Sequence, residues 1–294
     1  MKLHLKNFRS IKEANDLEIA PLTLLYGANG TGKSSLIYAL LTLKNILLNP
    51  NQRTDGFFNY SFANLGGFEA VVFDHDTSNQ IELGVELQEG LFKVTYNASF
   101  SNEKASFGLN LWLIKEKLVS LLLDAFLPYG LKQTSSASFS YAEQNISVAW
   151  NGITSQVSTD NPFETDLADV IVKALNAPAE SLRKLRVVPL KRGFSKPQYS
   201  SVSVSPWMVT EDEIATYISN NKYLVSKISR YLESIVGRDF RVNYQPGTAI
   251  FPLDATDKKS GVASELVNEG FGVNQIVHFL AVCLNPDAEI ICVE

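Results

Sequence analysis

No stretch of this 294-residue chain restricts its folding more than Gly27-Ala28-Asn29-Gly30-Thr31-Gly32-Lys33-Ser34, which satisfies the pattern G-x-x-x-x-G-K-[ST]. Glycines at these positions let the main chain turn so that successive amide N–H groups converge. A helix N-terminus directly behind them adds the positive end of its dipole. Such a loop holds phosphate. Lys33 is the residue placed to reach the β- and γ-phosphates of a nucleotide, Ser34 offers a hydroxyl to Mg²⁺, and Ser35 continues the contact at the start of the helix. The flanks agree with this reading. Pro21–Tyr26 is an apolar run that predicts a strand, and Lys33–Leu48 has apolar residues on nearly every face, no Gly or Pro, and a stop at Asn49-Pro50, predicting a well-buried helix.

A loop of this kind needs a globular α/β scaffold, and the composition permits one. Hydrophobic residues make up 45% of the chain and charged residues 19%, which excludes a disordered polymer. A formal net charge of −5 argues against a surface that is basic throughout. No apolar stretch approaches the length of a membrane span and Met1–Ser10 has no signal-like apolar core, so a cytoplasmic protein is expected. Cys283 and Cys292 lie in apolar runs without metal spacing and read as buried, reduced thiols.

Lys2–Phe8 alternates as a strand should, and β-rich runs at Ala70–Phe73, Gln80–Leu87 and Leu91–Phe100, with a turn at Glu89-Gly90, suggest an antiparallel sheet beside the core. Residues 101–180 look like an insertion. It would hold an apolar helix near Leu111–Phe126, strands near Ala137–Trp150, and a helix opened by Asn161-Pro162 with Glu164 three positions after Asn161. Thr210 with Glu213 forms a capping-box pattern before a helical period running from Ile214 to Ile235. From Ser181 to Thr210 there is no acidic residue, while Arg183, Lys184, Arg186, Lys191, Arg192 and Lys196 cluster there; a solvated basic face is favoured over a nucleic-acid surface.

The last segment narrows the choice among phosphate-loop proteins. A glycine-bearing turn, Asn268-Glu269-Gly270-Phe271-Gly272, opens an apolar helix, and the strand Ile290–Val293 ends at Glu294, a carboxylate placed where the Mg²⁺ of such a site sits. Taken alone, Asn268 also suits a plain helix N-cap, and His75, between Asp74 and Asp76, suits a surface turn.

Both ends of the chain resemble the RecF/SMC-like branch of the ABC-type AAA ATPases, especially the relatives of the overcoming-lysogenization-defect (OLD) family. Lys6-Asn7-Phe8-Arg9-Ser10 looks like the branch's opening K-N-F-R-S, and Thr23-Leu24-Leu25-Tyr26-Gly27 looks like its approach to Walker A. Asn268-Glu269-Gly270-Phe271-Gly272-Val273-Asn274-Gln275 is similar to its ABC signature S-x-G-x-G-x-x-Q, with asparagine in place of the serine. The resemblance implies an α/β P-loop NTPase fold: one ABC-ATPase-like head with a central, mainly parallel sheet, an antiparallel β-subdomain and a helical lobe. It implies ATP and Mg²⁺ as ligands, Arg9 and Ser10 as phosphate or ribose contacts, and Asn268 with Gly270 as the signature that caps a partner's γ-phosphate. Two heads would close around nucleotide as a homodimer and control a DNA-directed or defence-related activity. Glu294 would be the first Walker B acid; the water-orienting acid is expected beyond it, so residues 1–294 are expected to bind ATP and hydrolyse it poorly.

Two other function classes fit a phosphate loop. A GTPase needs Asn-Lys-x-Asp, and Asn221-Lys222-Tyr223-Leu224 lacks the aspartate; a small-molecule kinase and a nucleotide-gated binding module without turnover stay open.

Overall fold

The computed structural model describes residues 1–60, 62–130, 133–160, 165–205 and 210–294. They form two compact units, Met1–Arg183 and Lys184–Glu294.

The first unit opens with a hairpin of β1 (Lys2–Phe8) and β2 (Ile11–Glu18). β1 has the predicted bounds. β2 carries no apolar alternation, and what makes it a strand is its ladder to β1. The segment Pro21–Tyr26, expected as a strand, is extended but joins no ladder, and Leu22, Leu24 and Tyr26 are exposed. An apolar run supplies side chains for a sheet, but only partner hydrogen bonds make a strand.

Helix α1 (Lys33–Leu48) has the predicted bounds and is buried around most of its circumference, including Tyr38, Leu40, Leu43, Ile46 and Leu47. Its polar groups are matched: the Thr42 hydroxyl lies 2.7 Å from the Tyr60 hydroxyl, and Asn45 donates to the Phe57 carbonyl at 3.0 Å. The chain continues through a small hairpin, β3 (Asn59–Tyr60) with β4 (Ala63–Asn64), to a helical turn, α2 (Phe68–Val71). Ala70–Phe73 was expected as a strand. Instead the Asp55 carboxylate accepts from the Phe68 amide at 2.7 Å and nucleates α2, leaving only Val72 to bridge to Phe8.

β5 (Ile81–Glu89), β6 (Phe92–Phe100), β7 (Lys104–Leu113) and β8 (Glu116–Phe126) extend the hairpin into a six-stranded sheet, β2-β1-β5-β6-β7-β8, with every neighbour antiparallel. The helix expected over Leu111–Phe126 is therefore a correction. Val119, Leu121, Leu123 and Ala125 are buried while Ser120, Leu122, Asp124 and Phe126 face solvent, a period of two that the leucine-rich composition hides. β9 (Ser135–Tyr141), β10 (Gln144–Trp150) and β11 (Ser155–Thr159) make a separate antiparallel sheet, the first two near the expected bounds. Helix α3 (Thr165–Arg183) follows; its expected opening at Asn161-Pro162 and Glu164 lies outside the described residues. It buries Ile171, Leu175, Ala179 and Leu182, a helical period, and packs on α1, β5, β6 and β7.

The second unit begins with β12 (Leu185–Val188) and the short β13 (Tyr199–Ser200). The expected capping box is present: the Thr210 hydroxyl accepts from the Glu213 amide while the Glu213 carboxylate accepts from the Thr210 amide. The helical period that follows is two helices, α4 (Glu211–Asn220) and α5 (Lys222–Val236), because the Asn221 side chain accepts from the Leu224 amide and restarts the helix. β14 (Arg238–Val242), β15 (Ile250–Phe251), β16 (Leu253–Asp257) and β17 (Ala263–Glu265) lead to α6 (Phe271–Cys283) and β18 (Ile290–Val293). Ile218, Leu224, Ile228, Leu232, Phe240, Phe251, Leu253 and Val277 share one core. β12 and β18 pair in parallel, the one parallel ladder among the described residues where a larger parallel sheet was expected. Cys283 and Cys292 are partly rather than fully buried. Among the described residues, no helix is long and apolar enough to cross a membrane.

The strand register of β8 yields a paired prediction. Leu121→Ala, at a buried position, should cost about 2–5 kcal/mol of stability. Leu122→Ala, on the solvent face, should change it by less than about 0.5 kcal/mol. Denaturant unfolding of the two variants checks this, and equal costs would contradict the register.

Candidate functional site

The turn between β1 and β2 is held by the Arg9 amide, which donates to the Val71 carbonyl at 2.6 Å. It carries the Ser10 hydroxyl and the Ile11 side chain against the glycine loop. Gly32 has φ of +94°, and a Cβ built on it would meet Ile11 at 3.0 Å and Ser10 Oγ at 3.1 Å. Both the backbone angle and the close approach therefore require glycine. Ser10 thus stands beside the loop at Gly32.

The loop is closed by its own side chains. Lys33 Nζ donates to the Gly27 carbonyl at 2.9 Å and the Ala28 carbonyl at 2.7 Å, and the Thr31 hydroxyl donates to Ala28 at 2.8 Å. Gly32 caps α1 without any side-chain hydrogen bond, and the first turn holds no acidic residue to repel an anion. Ser34 is half-buried and Ser35 buried in that turn. The Arg9 guanidinium lies 4.8 Å from the centre of the Tyr38 ring on α1. Its buried Nη1 has no hydrogen-bond partner among the described residues. Sequence reasoning missed Tyr38, since nothing in its local pattern marks it as a platform for Arg9.

A nucleoside triphosphate fits this donor set. Phosphate oxygens would take the Lys33 ammonium over from the two carbonyls and supply the acceptor that Arg9 Nη1 lacks. Among the described residues, no group of three or more His, Cys, Asp and Glu side chains forms a metal cage. That is compatible with Mg²⁺, which usually takes only one or two protein ligands beside substrate phosphates and water. Ser34 has the right chemistry in this unit.

Glu294 belongs to the second unit. Its amide donates to the Val188 carbonyl at 3.0 Å, fixing it where β18 leaves β12, and the Arg192 guanidinium donates to its main-chain carbonyl at 3.3 Å. Asn268 and Gly270 precede α6. Asn268 does not cap the helix; its amide donates to Glu265 at 2.8 Å, and Gly270 occupies the N-cap without a side-chain bond. Gly270 is exposed, and a Cβ built there meets nothing within 4 Å. Asn274, one turn into α6, accepts from the Phe194 amide at 2.6 Å and donates to the Phe194 carbonyl at 2.9 Å.

The basic stretch is largely consumed by internal contacts. Arg183 pairs with Glu180, Lys184 with Glu289 and Lys196 with Asp212, while Arg192 donates to the carbonyls of Pro189 and Glu294. Arg186 is buried, and burial pushes its pKa down. This supports a solvated basic face over a nucleic-acid surface for that stretch. His75 is exposed, and its Nδ1 lies 2.9 Å from the Glu69 carbonyl.

A family model describing the AAA ATPase domain matches residues 1–282. No curated protein matches the chain.

Two predictions follow from this geometry. Lys33→Ala should abolish binding of a fluorescent ATP analogue in equilibrium titration; unchanged affinity would remove the phosphate-loop assignment. Burial lowers the pKa of His278 to about 4 from 6.5, with the Arg192 charge acting in the same direction and Glu211 against it. The unfolded chain then binds the proton first, so this contribution is full above pH 6.5 and is lost as pH falls toward 4. His278→Gln should flatten the pH dependence of the denaturation midpoint across that window by up to about 1.4 kcal/mol per pH unit. Identical profiles would show that His278 does not titrate this way.

Proposed function

This chain belongs to the AAA ATPase domain family, and from that premise we propose that it binds ATP with Mg²⁺ at Gly27–Ser35 as the head of an ABC-type ATPase. The observation that carries the reading is the closed loop of Lys33 over the start of α1, beside an Arg9 nitrogen that is buried without a partner among the described residues. In this reading the loop amides and Lys33 bind the phosphates, Arg9 and Ser10 contact phosphate or ribose, and Ser34 offers its hydroxyl to Mg²⁺. The metal would neutralise phosphate charge; the protein's own part is to orient the phosphates and exclude competing geometries.

The finer assignment is to the RecF/SMC-like, OLD-related branch. The six-stranded antiparallel sheet would be the β-subdomain and α4–α6 the helical lobe, all within one head. Gly270, with the neighbouring Asn268, would cap the nucleotide of a second copy, so that ATP drives head-to-head pairing and controls a DNA-directed or defence-related activity. The exposed, uncapped start of α6 at Gly270 supports a docking role for that turn. Internal pairing of the basic stretch gives DNA attraction there little support.

Gly270→Arg tests the pairing. Because a side chain at this position meets nothing inside the fold, the variant should fold and bind nucleotide normally, yet fail to form ATP-dependent dimers in light scattering. Dimers that persist would refute the capping role.

A further inference from the structure

The aromatic side chains next to Arg9 are arranged as a column. Its guanidinium lies 4.8 Å from the centre of the Tyr38 ring, that ring stacks on Tyr60 at 5.6 Å with 17° between the planes, and Tyr60 stacks on Phe62 at 5.9 Å and 18°. The Tyr38 ring therefore cannot tilt without displacing Tyr60. Tyr60 is itself tethered to α1: its hydroxyl lies 2.7 Å from that of Thr42 and 3.3 Å from the Tyr38 carbonyl, to which Thr42 donates at 2.8 Å. Burial pushes the Tyr60 phenol up, so it stays protonated and keeps these bonds.

The main chain that carries Arg9 is held just as closely. Asn7 and Arg9 both lie in the left-handed region, with φ of +54° and +55°, on either side of the fully buried Phe8. Asparagine tolerates that region; arginine does so at a cost. Two hydrogen bonds fix the turn, from the Asn7 side chain to the Gln80 carbonyl at 3.0 Å and from the Arg9 amide to the Val71 carbonyl at 2.6 Å. The result is a strained main chain bearing a cation whose buried Nη1 has no partner among the described residues. Both features cost free energy, and the contact with the Tyr38 ring offsets part of it. All of these residues lie within Met1–Arg183.

We propose that Tyr38 is a positioning residue that holds the Arg9 guanidinium so that its unpartnered nitrogen meets a phosphate oxygen of the nucleotide. The proposal rests on the reading of Gly27–Ser35 as an ATP site and chooses, for Arg9, phosphate over ribose. A guanidinium fork matches phosphate oxygens and gains a charge-assisted bond there, whereas a ribose hydroxyl offers only a neutral acceptor. Tyr38 itself touches no nucleotide in this scheme. It stands on the same helix as Ser34 and Ser35, so the ring that aims Arg9 and the turn that receives phosphate belong to one rigid piece.

Competition against a fluorescent ATP analogue measures the affinities of ATP and of inorganic tripolyphosphate, which carries no ribose. The proteins compared are the parent, Arg9→Ala, Tyr38→Leu, Tyr38→Phe and the double Arg9→Ala/Tyr38→Leu. Arg9→Ala should weaken both ligands about tenfold, as loss of one charged hydrogen bond does. Tyr38→Leu, which stays apolar but has no ring face, should weaken both about fivefold, and Tyr38→Phe, which keeps the face, less than about twofold. In the Arg9→Ala background Tyr38→Leu should cost nothing further, whereas a ring that merely packs α1 would cost the same in either background. Equal losses in the two backgrounds overturn the positioning role and leave the ATP site standing, and so does an Arg9→Ala variant that binds both ligands like the parent. Losses seen with ATP but absent with tripolyphosphate would assign Arg9 to ribose and overturn the choice of phosphate. If the parent binds neither ligand, the ATP reading falls and the proposal with it. Should Tyr38→Leu fail to fold by circular dichroism, Tyr38→Met takes its place under the same criteria.

Discussion

The contact of Gly32 with the turn at Ser10-Ile11 is the constraint on which the first unit's site depends. A phosphate loop is only a string of amides until something rigid fixes its end. Here the rigid body is the antiparallel sheet, whose first hairpin presses its turn against Gly32. The same turn delivers Arg9 to Tyr38, so a single hairpin sets both the loop's path and the cation beside it. Any residue larger than glycine at position 32 would push the turn away and lose both effects together.

The second unit is organised around a loop rather than a sheet. Residues 192–196 are gripped from α6 by Asn274 and from α4 by Glu211 and Asp212. The amide and carbonyl of the buried Phe194 and the amides of Ser195 and Lys196 each find a side-chain partner, which is the work these polar groups perform. His278 shows the same economy in reverse: too deeply buried to charge, it serves beside Phe194 as a neutral ring.

What was legible in the sequence divides along a physical line. Helix α1 was readable to its last residue because its apolar content and its Asn49-Pro50 stop are local properties. The same holds for the capping box at Thr210 and for β1, β5 and β6. β8 was misread because a run of leucines has no visible period until one knows which of them a sheet buries. β2 was invisible because its strand character resides in β1. At the site, the glycine loop and the glycine-bearing turn before α6 were legible as motifs. Tyr38 and the Asn274 clamp were not, since each acts on a residue distant in sequence: Arg9 in one case, Phe194 in the other. The basic stretch was readable as a solvated face, but its partners Glu289, Glu180 and Asp212 were not.

Helix α1 is enclosed by core on most sides and pinned midway by Thr42 and Asn45. Its 16 residues span about 24 Å at 1.5 Å per residue. Close-packed interiors are nearly incompressible, so a displacement imposed at Ser34 has no soft segment in which to dissipate. The helix then behaves as a piston rather than a hinge. A shift at its phosphate end would be felt where the helix is pinned, at the Tyr60 hydroxyl and the Phe57 carbonyl.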